Sequence, residues 1–74
     1  MMLLFILNTI EKLVKKYTEA YVFTNRAPDL AVQLTARINE EDKECLLNDI
    51  DYELRDYVNF SHEYENGRLQ IIFK

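Results

Sequence analysis

The sequence predicts an α+β fold: a small mixed sheet with two amphipathic helices on one face and a C-terminal β-hairpin. Apolar residues recur at the three-and-four spacing of a helical face over residues 9–22 and 40–58. Residues 30–38 alternate apolar and polar side chains, as strands do, and Asn66-Gly67 is a hairpin turn signal. The 74-residue chain has the length of one domain, so we expect the whole chain to share a single core.

The first helix is expected over residues 9–22. Asn8 and Glu11 have the spacing of a capping box, in which two side chains satisfy free backbone amides at a helix start. Charged side chains occupy the face opposite the apolar one. The apolar face consists of Ile10, Leu13, Val14, Tyr17 and Tyr21.

The apolar run at residues 3–7 fits either a buried strand or an upstream extension of this helix. We favour the strand, because a helix would leave Leu4 and Phe5 outside the apolar face. The run is too short to span a bilayer and lacks the basic flank of a secretory signal. We therefore expect no membrane association and a cytoplasmic location.

Residues 24–29 are expected to form a loop around Pro28, because the residue before a proline is biased away from helical angles. The alternation that follows predicts a strand over residues 30–38. If residues 28–38 were helical instead, three helices would precede the hairpin. That order resembles a winged-helix domain with Asn66-Gly67 at the tip of the wing, a resemblance of topology that assigns no function.

The second helix is expected over residues 40–58, with Asn39 as its N-cap. Glu40, Glu41 and Asp42 fall in its first turn, where negative charge complements the helix dipole. The expected core face consists of Leu46, Leu47, Ile50, Leu54, Tyr57 and Val58.

The two-residue turn at Asn66-Gly67 sets the register of the hairpin. His62 then belongs with apolar neighbours on the packed face, which predicts a structural histidine and not a catalytic base beside Ser61. The expected opposite pairs are Glu65 with Arg68, Tyr64 with Leu69, His62 with Ile71, and Phe60 with Phe73.

The negative charge of the chain is concentrated in the second helix. Residues 40–57 carry eight acidic and two basic side chains, a net charge of −6, while the rest of the chain is +2. On the face opposite the core stripe, a second set of residues recurs at three-and-four spacing, and we call this set the acidic ridge. It consists of Asp42, Cys45, Asp49, Tyr52 and Asp56, with Glu53 beside it. It is either a solvated face or a docking surface for a basic protein partner. Regularly spaced carboxylates would also suit imitation of a run of phosphates.

Other kinds of site are disfavoured by composition. One cysteine and one histidine are too few for a disulfide or a structural zinc site, and a single glycine excludes a glycine-rich phosphate loop. We expect no catalytic residues, no metal and no cofactor. The net charge of −4 also disfavours nucleic acid. A nucleic-acid surface, as the alternative, would use Lys12, Lys15, Lys16, Arg26, Arg37 and Arg68.

The sequence therefore favours a non-enzymatic interaction protein that docks a protein partner through the acidic face of residues 40–57. Regulators, inhibitors and adaptors, such as phage or mobile-element accessory proteins, are of this kind. Two alternatives stay open. One is a winged-helix-like nucleic-acid-binding regulator, and the other is a structural homo-oligomer whose sheet face or N-terminal segment forms the contact between molecules.

Overall fold

Two helices and four strands make up the part of the chain described by the computed structural model, residues 2–26 and 31–73. This confirms the α+β class, the two helices and the C-terminal hairpin. In chain order the elements are helix α1 (Met2–Lys15), strands β1 (Tyr21–Arg26) and β2 (Ala31–Arg37), helix α2 (Glu40–Leu54), and strands β3 (Phe60–Glu65) and β4 (Arg68–Phe73).

The four strands form one sheet in the order β1-β2-β4-β3, and every neighbouring pair is antiparallel. The hairpin register is confirmed, and the positive φ angles of Asn66 (52°) and Gly67 (80°) are those its two-residue turn requires. The strand expected over residues 30–38 is also confirmed, as β2. The described residues therefore lack the third helix that a winged-helix domain needs.

The core lies between the two helices and one face of the sheet. Antiparallel sheets often pack one face and leave the other to solvent, and this one does so. Its second face carries polar and charged side chains from all four strands, which positions them for binding from outside. The fully buried large side chains are Ile10, Val14, Leu46, Ile50 and Leu54 from the helices, with Leu34, Leu69 and Ile71 from the sheet.

The strand expected at residues 3–7 is wrong, because this segment belongs to α1. Leucine and methionine are strong helix formers, and the helix places Ile6 in the core. Leu4 and Phe5 remain 60% and 48% exposed, which is the cost that the helical alternative implied. The expected cap is also wrong, because Asn8 lies inside α1.

The expected extension of the first helix to residue 22 is wrong as well, because α1 ends at Lys15 and a strand begins at Tyr21. The sequence Tyr-Val-Phe-Thr consists of strong strand formers, and β1 pairs with β2 along its whole length. The loop expected at residues 24–29 is therefore strand as far as Arg26. Its remainder, including Pro28, lies outside the described residues. With β1 added as an antiparallel neighbour of β2, all three strand pairs are antiparallel, and the described sheet contains no parallel pair.

Helix α2 has the expected N-cap but a shorter end. The backbone N–H of Asp42 donates to Asn39 Oδ1 at 2.7 Å, and the helix ends at Leu54 instead of residue 58. Tyr57 is consequently 51% exposed and not a core residue. His62 is exposed too, contrary to expectation, because β3 is an edge strand and the side chain lies beyond the buried core.

Candidate partner-binding surface

Burial of one face of α2 sets the direction of the acidic ridge. Leu46, Ile50 and Leu54 are fully buried against the sheet, so side chains on the opposite side of the helix point to solvent. Tyr52 is 78% exposed, an unusually open position for a large aromatic side chain. The other ridge residues divide into exposed Cys45, Glu53 and Asp56 and half-buried Asp42 and Asp49.

Asp49 joins α2 to the turn that follows α1. Its Oδ2 accepts hydrogen bonds from Lys16 Nζ at 2.9 Å and from the Tyr17 hydroxyl at 2.5 Å. These bonds, first that from Tyr17 and then that from Lys16, hold the pKa of the Asp49 carboxyl below its usual value. The sequence pattern did not identify this role, because Tyr17 was assigned to a helical core face and lies beyond the end of α1.

Asp42 is also engaged within the molecule, at the start of α2. Its Oδ2 accepts a hydrogen bond from Asn39 Nδ2 at 3.1 Å, in addition to the capping bond at its backbone. Of the four carboxylates on or beside the ridge, two, those of Asp42 and Asp49, therefore have internal partners. The series of free, regularly spaced charges needed to imitate phosphates is not present on this ridge.

The remaining carboxylates of α2 differ in whether a cation neutralises them. Lys43 lies 2.9 Å from Glu44 and lowers the pKa of its carboxyl, and Arg55 lies 2.9 Å from Asp51. Among the described side chains, no lysine or arginine nitrogen lies within 4.0 Å of the carboxylates of four others. Those four are Glu40, Glu41, Glu53 and Asp56.

An exposed aromatic pair lies beyond the C-terminal end of α2, where the sequence interpretation placed core. The rings of Phe5 and Tyr57 pack edge to face with centroids 5.4 Å apart, and both are about half exposed. Leu4 is exposed next to them in α1. The signal for this cluster was present in the sequence, since a helical N-terminus leaves Leu4 and Phe5 off the core face.

The basic residues of the alternative nucleic-acid surface do not converge. Lys12 and Lys15 are exposed on α1, and Lys16, just beyond the end of that helix, pairs with Asp49. Arg37 and Arg68 lie on the opposite side of the molecule, on the sheet face that the helices leave uncovered. The side chain of Arg26 lies outside the described part of the chain.

Within the described ranges, no three histidine, cysteine or acidic side chains come together as metal ligands. No helix there is long and apolar enough to cross a bilayer. Comparison with known protein families and with curated proteins finds no match to this chain.

Proposed function

We propose that this protein is a non-enzymatic regulator, inhibitor or adaptor that binds a basic surface of a protein partner through the exposed end of α2. The observation that carries the proposal is Tyr52, 78% exposed beside Glu53 and Asp56, whose carboxylates have no described cation within 4.0 Å. Interface centres are enriched in aromatic side chains such as tyrosine, while charged side chains belong to the polar rim around them. The acids steer a basic partner toward the site, and the ring is buried on contact.

The position of these acids supports binding more than it supports folding. Glu53 and Asp56 lie at the C-terminal end of α2, where the helix dipole is negative and an added negative charge costs about 0.3–1 kcal/mol at most. The last turn itself holds no basic residue, and the Arg55 C-cap that follows it donates to Asp51 O at 3.4 Å and is paired with Asp51, not with Glu53 or Asp56. A surface that only needed solvation would be served as well by lysine.

The proposed place of action is the cytoplasm. Cys45 is a free, exposed thiol on the ridge, and such a thiol persists unmodified in a reducing compartment. Disulfide-linked dimers formed on purification under air, and absent from freshly lysed cells blocked with an alkylating reagent, are the expected result.

The test compares capture of proteins from the native host by three baits: the wild type, Glu53→Lys/Asp56→Lys, and a control with Glu19→Lys/Glu63→Lys. The control makes the same charge change at exposed positions outside α2. A partner should be retained by the wild type and the control and lost by the α2 variant. Asp49 is left unchanged because its reversal would disturb the contact between α2 and the turn after α1.

A Tyr52→Ala bait separates the aromatic anchor from charge alone. If Tyr52 is a central contact, its removal costs about 2 kcal/mol or more, a loss of affinity of about thirtyfold. A partner retained equally by the wild type, the α2 variant and Tyr52→Ala would contradict the proposal. So would a wild-type bait that retains nothing beyond what the α2 variant retains.

A homo-oligomer is the second candidate, favoured by the exposed cluster of Leu4, Phe5 and Tyr57. Light scattering after size exclusion distinguishes it. Under this hypothesis the wild type is larger than a monomer and Phe5→Glu returns it to one. A wild type that stays monomeric at high concentration contradicts it.

A further inference from the structure

Two arginines lie directly opposite each other on the uncovered face of the sheet. Arg37 of β2 pairs in register with Arg68 of β4. The next pair is joined by a hydrogen bond from Ile38 N to Gly67 O at 2.9 Å, so the arginines occupy a non-hydrogen-bonded position. At such positions Cα atoms are about 4.5 Å apart and side chains are closest. The two cations therefore leave the sheet side by side.

This arrangement costs stability, and no described side chain forms an ion pair with either arginine. Like charges directly opposite on neighbouring strands destabilise a sheet. Glu65 lies opposite Arg68 on β3, yet no described carboxylate comes within 4.0 Å of either guanidinium. Both arginines are exposed. The N–H donors of both guanidinium groups are therefore available to bind an anion from solution.

The surroundings of the pair form a shallow binding surface. Arg37 and Arg68 separate two depressions of the sheet face and line both of them. The neighbouring pair on the same face is Thr35 with Gln70, whose side chains add neutral hydrogen-bond donors. The centre of the face thus offers two guanidinium forks beside a hydroxyl and an amide.

We infer that the Arg37–Arg68 pair binds a single phosphoryl group carried by a small molecule. Two guanidinium forks present more paired donors than the two oxygens of one carboxylate satisfy, whereas a phosphate monoester has three free oxygens and a charge close to −2. The ligand matches the pair in charge and in number of acceptors.

The same surroundings exclude a polyanion. Glu63 and Glu65 border the pair on the side of β3, and Glu19 borders it on the side of β1. These carboxylates would repel the successive phosphates of a nucleic acid. The described side chains on this face also include no aromatic ring on which a base would stack. A single phosphoryl group needs no ring to stack on, and it can lie over Arg37 and Arg68 without extending along the neighbouring carboxylates.

The test is an NMR titration of backbone amides with inorganic phosphate and, separately, with glycerol phosphate, against sodium chloride at equal ionic strength and pH. We expect saturable shifts centred on residues 35–38 and 68–70 that chloride does not reproduce. Arg37→Gln and Arg68→Gln should each weaken affinity about tenfold. The control Lys12→Gln/Lys15→Gln, which removes charge from α1, should bind as the wild type does.

The two ligands identify the source of the group. Binding of both shows that the phosphoryl group alone is recognised, and binding of one only shows a free phosphate or an ester as the ligand. Circular dichroism checks that the variants fold, and Arg37→Gln should be at least as stable as the wild type because it removes the repulsion between the two arginines. Shifts no larger with either phosphate than with chloride, or unchanged binding in both arginine variants, would overturn the inference.

Discussion

Replacing Asp49 with Asn should lower the free energy of unfolding by about 1 kcal/mol at neutral pH. The carboxylate accepts two hydrogen bonds, from Tyr17 and Lys16, and its side chain is 31% exposed. A hydrogen bond to a charged partner contributes about 1.5–3 kcal/mol and a neutral one about 1 kcal/mol, so the loss of charge is felt mainly at Tyr17. Lys16 is more exposed and contributes little as an ion pair.

The stability difference between the wild type and Asp49→Asn should depend on pH. The pKa of Asp49 lies below its ordinary value of 3.8 because of the hydrogen bonds from Tyr17 and Lys16. A depressed carboxyl pKa stabilises the folded state above the unfolded-state pKa, and that contribution is lost as the pH falls through the folded-state value. The difference between wild type and Asp49→Asn should therefore be complete above about pH 5 and should shrink below 3.8.

Urea unfolding of both proteins at several pH values is the measurement, and about 1 kcal/mol corresponds to a Tm shift of about 4–8 °C in a domain of this size. Asp56→Asn is the matched control, since it removes the same charge from an exposed carboxylate and should change stability by less than about 0.5 kcal/mol. If Asp49→Asn and Asp56→Asn behave alike, or if their difference persists unchanged at low pH, Asp49 does not join α2 to the turn after α1.

Three further predictions concern stability and are checked by the same unfolding measurement. Glu53→Lys/Asp56→Lys should raise the free energy of unfolding by about 0.5–1 kcal/mol, because it reverses unfavourable charge at the end of α2; a loss would contradict the dipole reasoning. Ile50→Ala, at a fully buried position, should cost about 2–5 kcal/mol, and a cost below 1 would show a loosely packed core. Gly67→Ala should cost about 1 kcal/mol through its positive φ and not through crowding, since an added Cβ meets only Ile38 O, at 4.0 Å; an unchanged stability would contradict this.

Sequence patterns correctly predicted the helix and the hairpin whose structure is determined by neighbouring residues in the sequence. The Asn39 cap, the core stripe of α2 and the register set by Asn66-Gly67 are local features, and the structure contains them. The N-terminal third was different. Residues 3–7 are apolar enough for either structure, and only the absence of a strand partner and the burial of Ile6 and Ile10 decide for the helix.

The sequence predicted which residues of the candidate site are exposed, but not the contacts that they make with other segments. Periodicity placed Tyr52 and Asp56 on the exposed side of the second helix; Tyr52 is exposed on α2, and Asp56 is exposed just beyond its end. The same periodicity placed Asp49 on the exposed side. It could not show that Tyr17, from the segment after α1, donates a hydrogen bond to Asp49, because periodicity along one helix contains no information about other segments. The Arg37–Arg68 pair depends on two strands that are distant in sequence, so no local pattern contains it.

The two proposed surfaces lie on opposite sides of a single core, and this separates their functions. The ridge on α2 faces away from the sheet, while Arg37 and Arg68 face away from the helices. Among the ion pairs of the described residues none connects the two surfaces, since Asp49 pairs with Lys16 in the turn after α1. Under the two proposals, a basic protein on one side and a phosphoryl ligand on the other would not compete for space. Each surface would also repel the ligand of the other, because the ridge on α2 is negatively charged and the Arg37–Arg68 pair is positively charged.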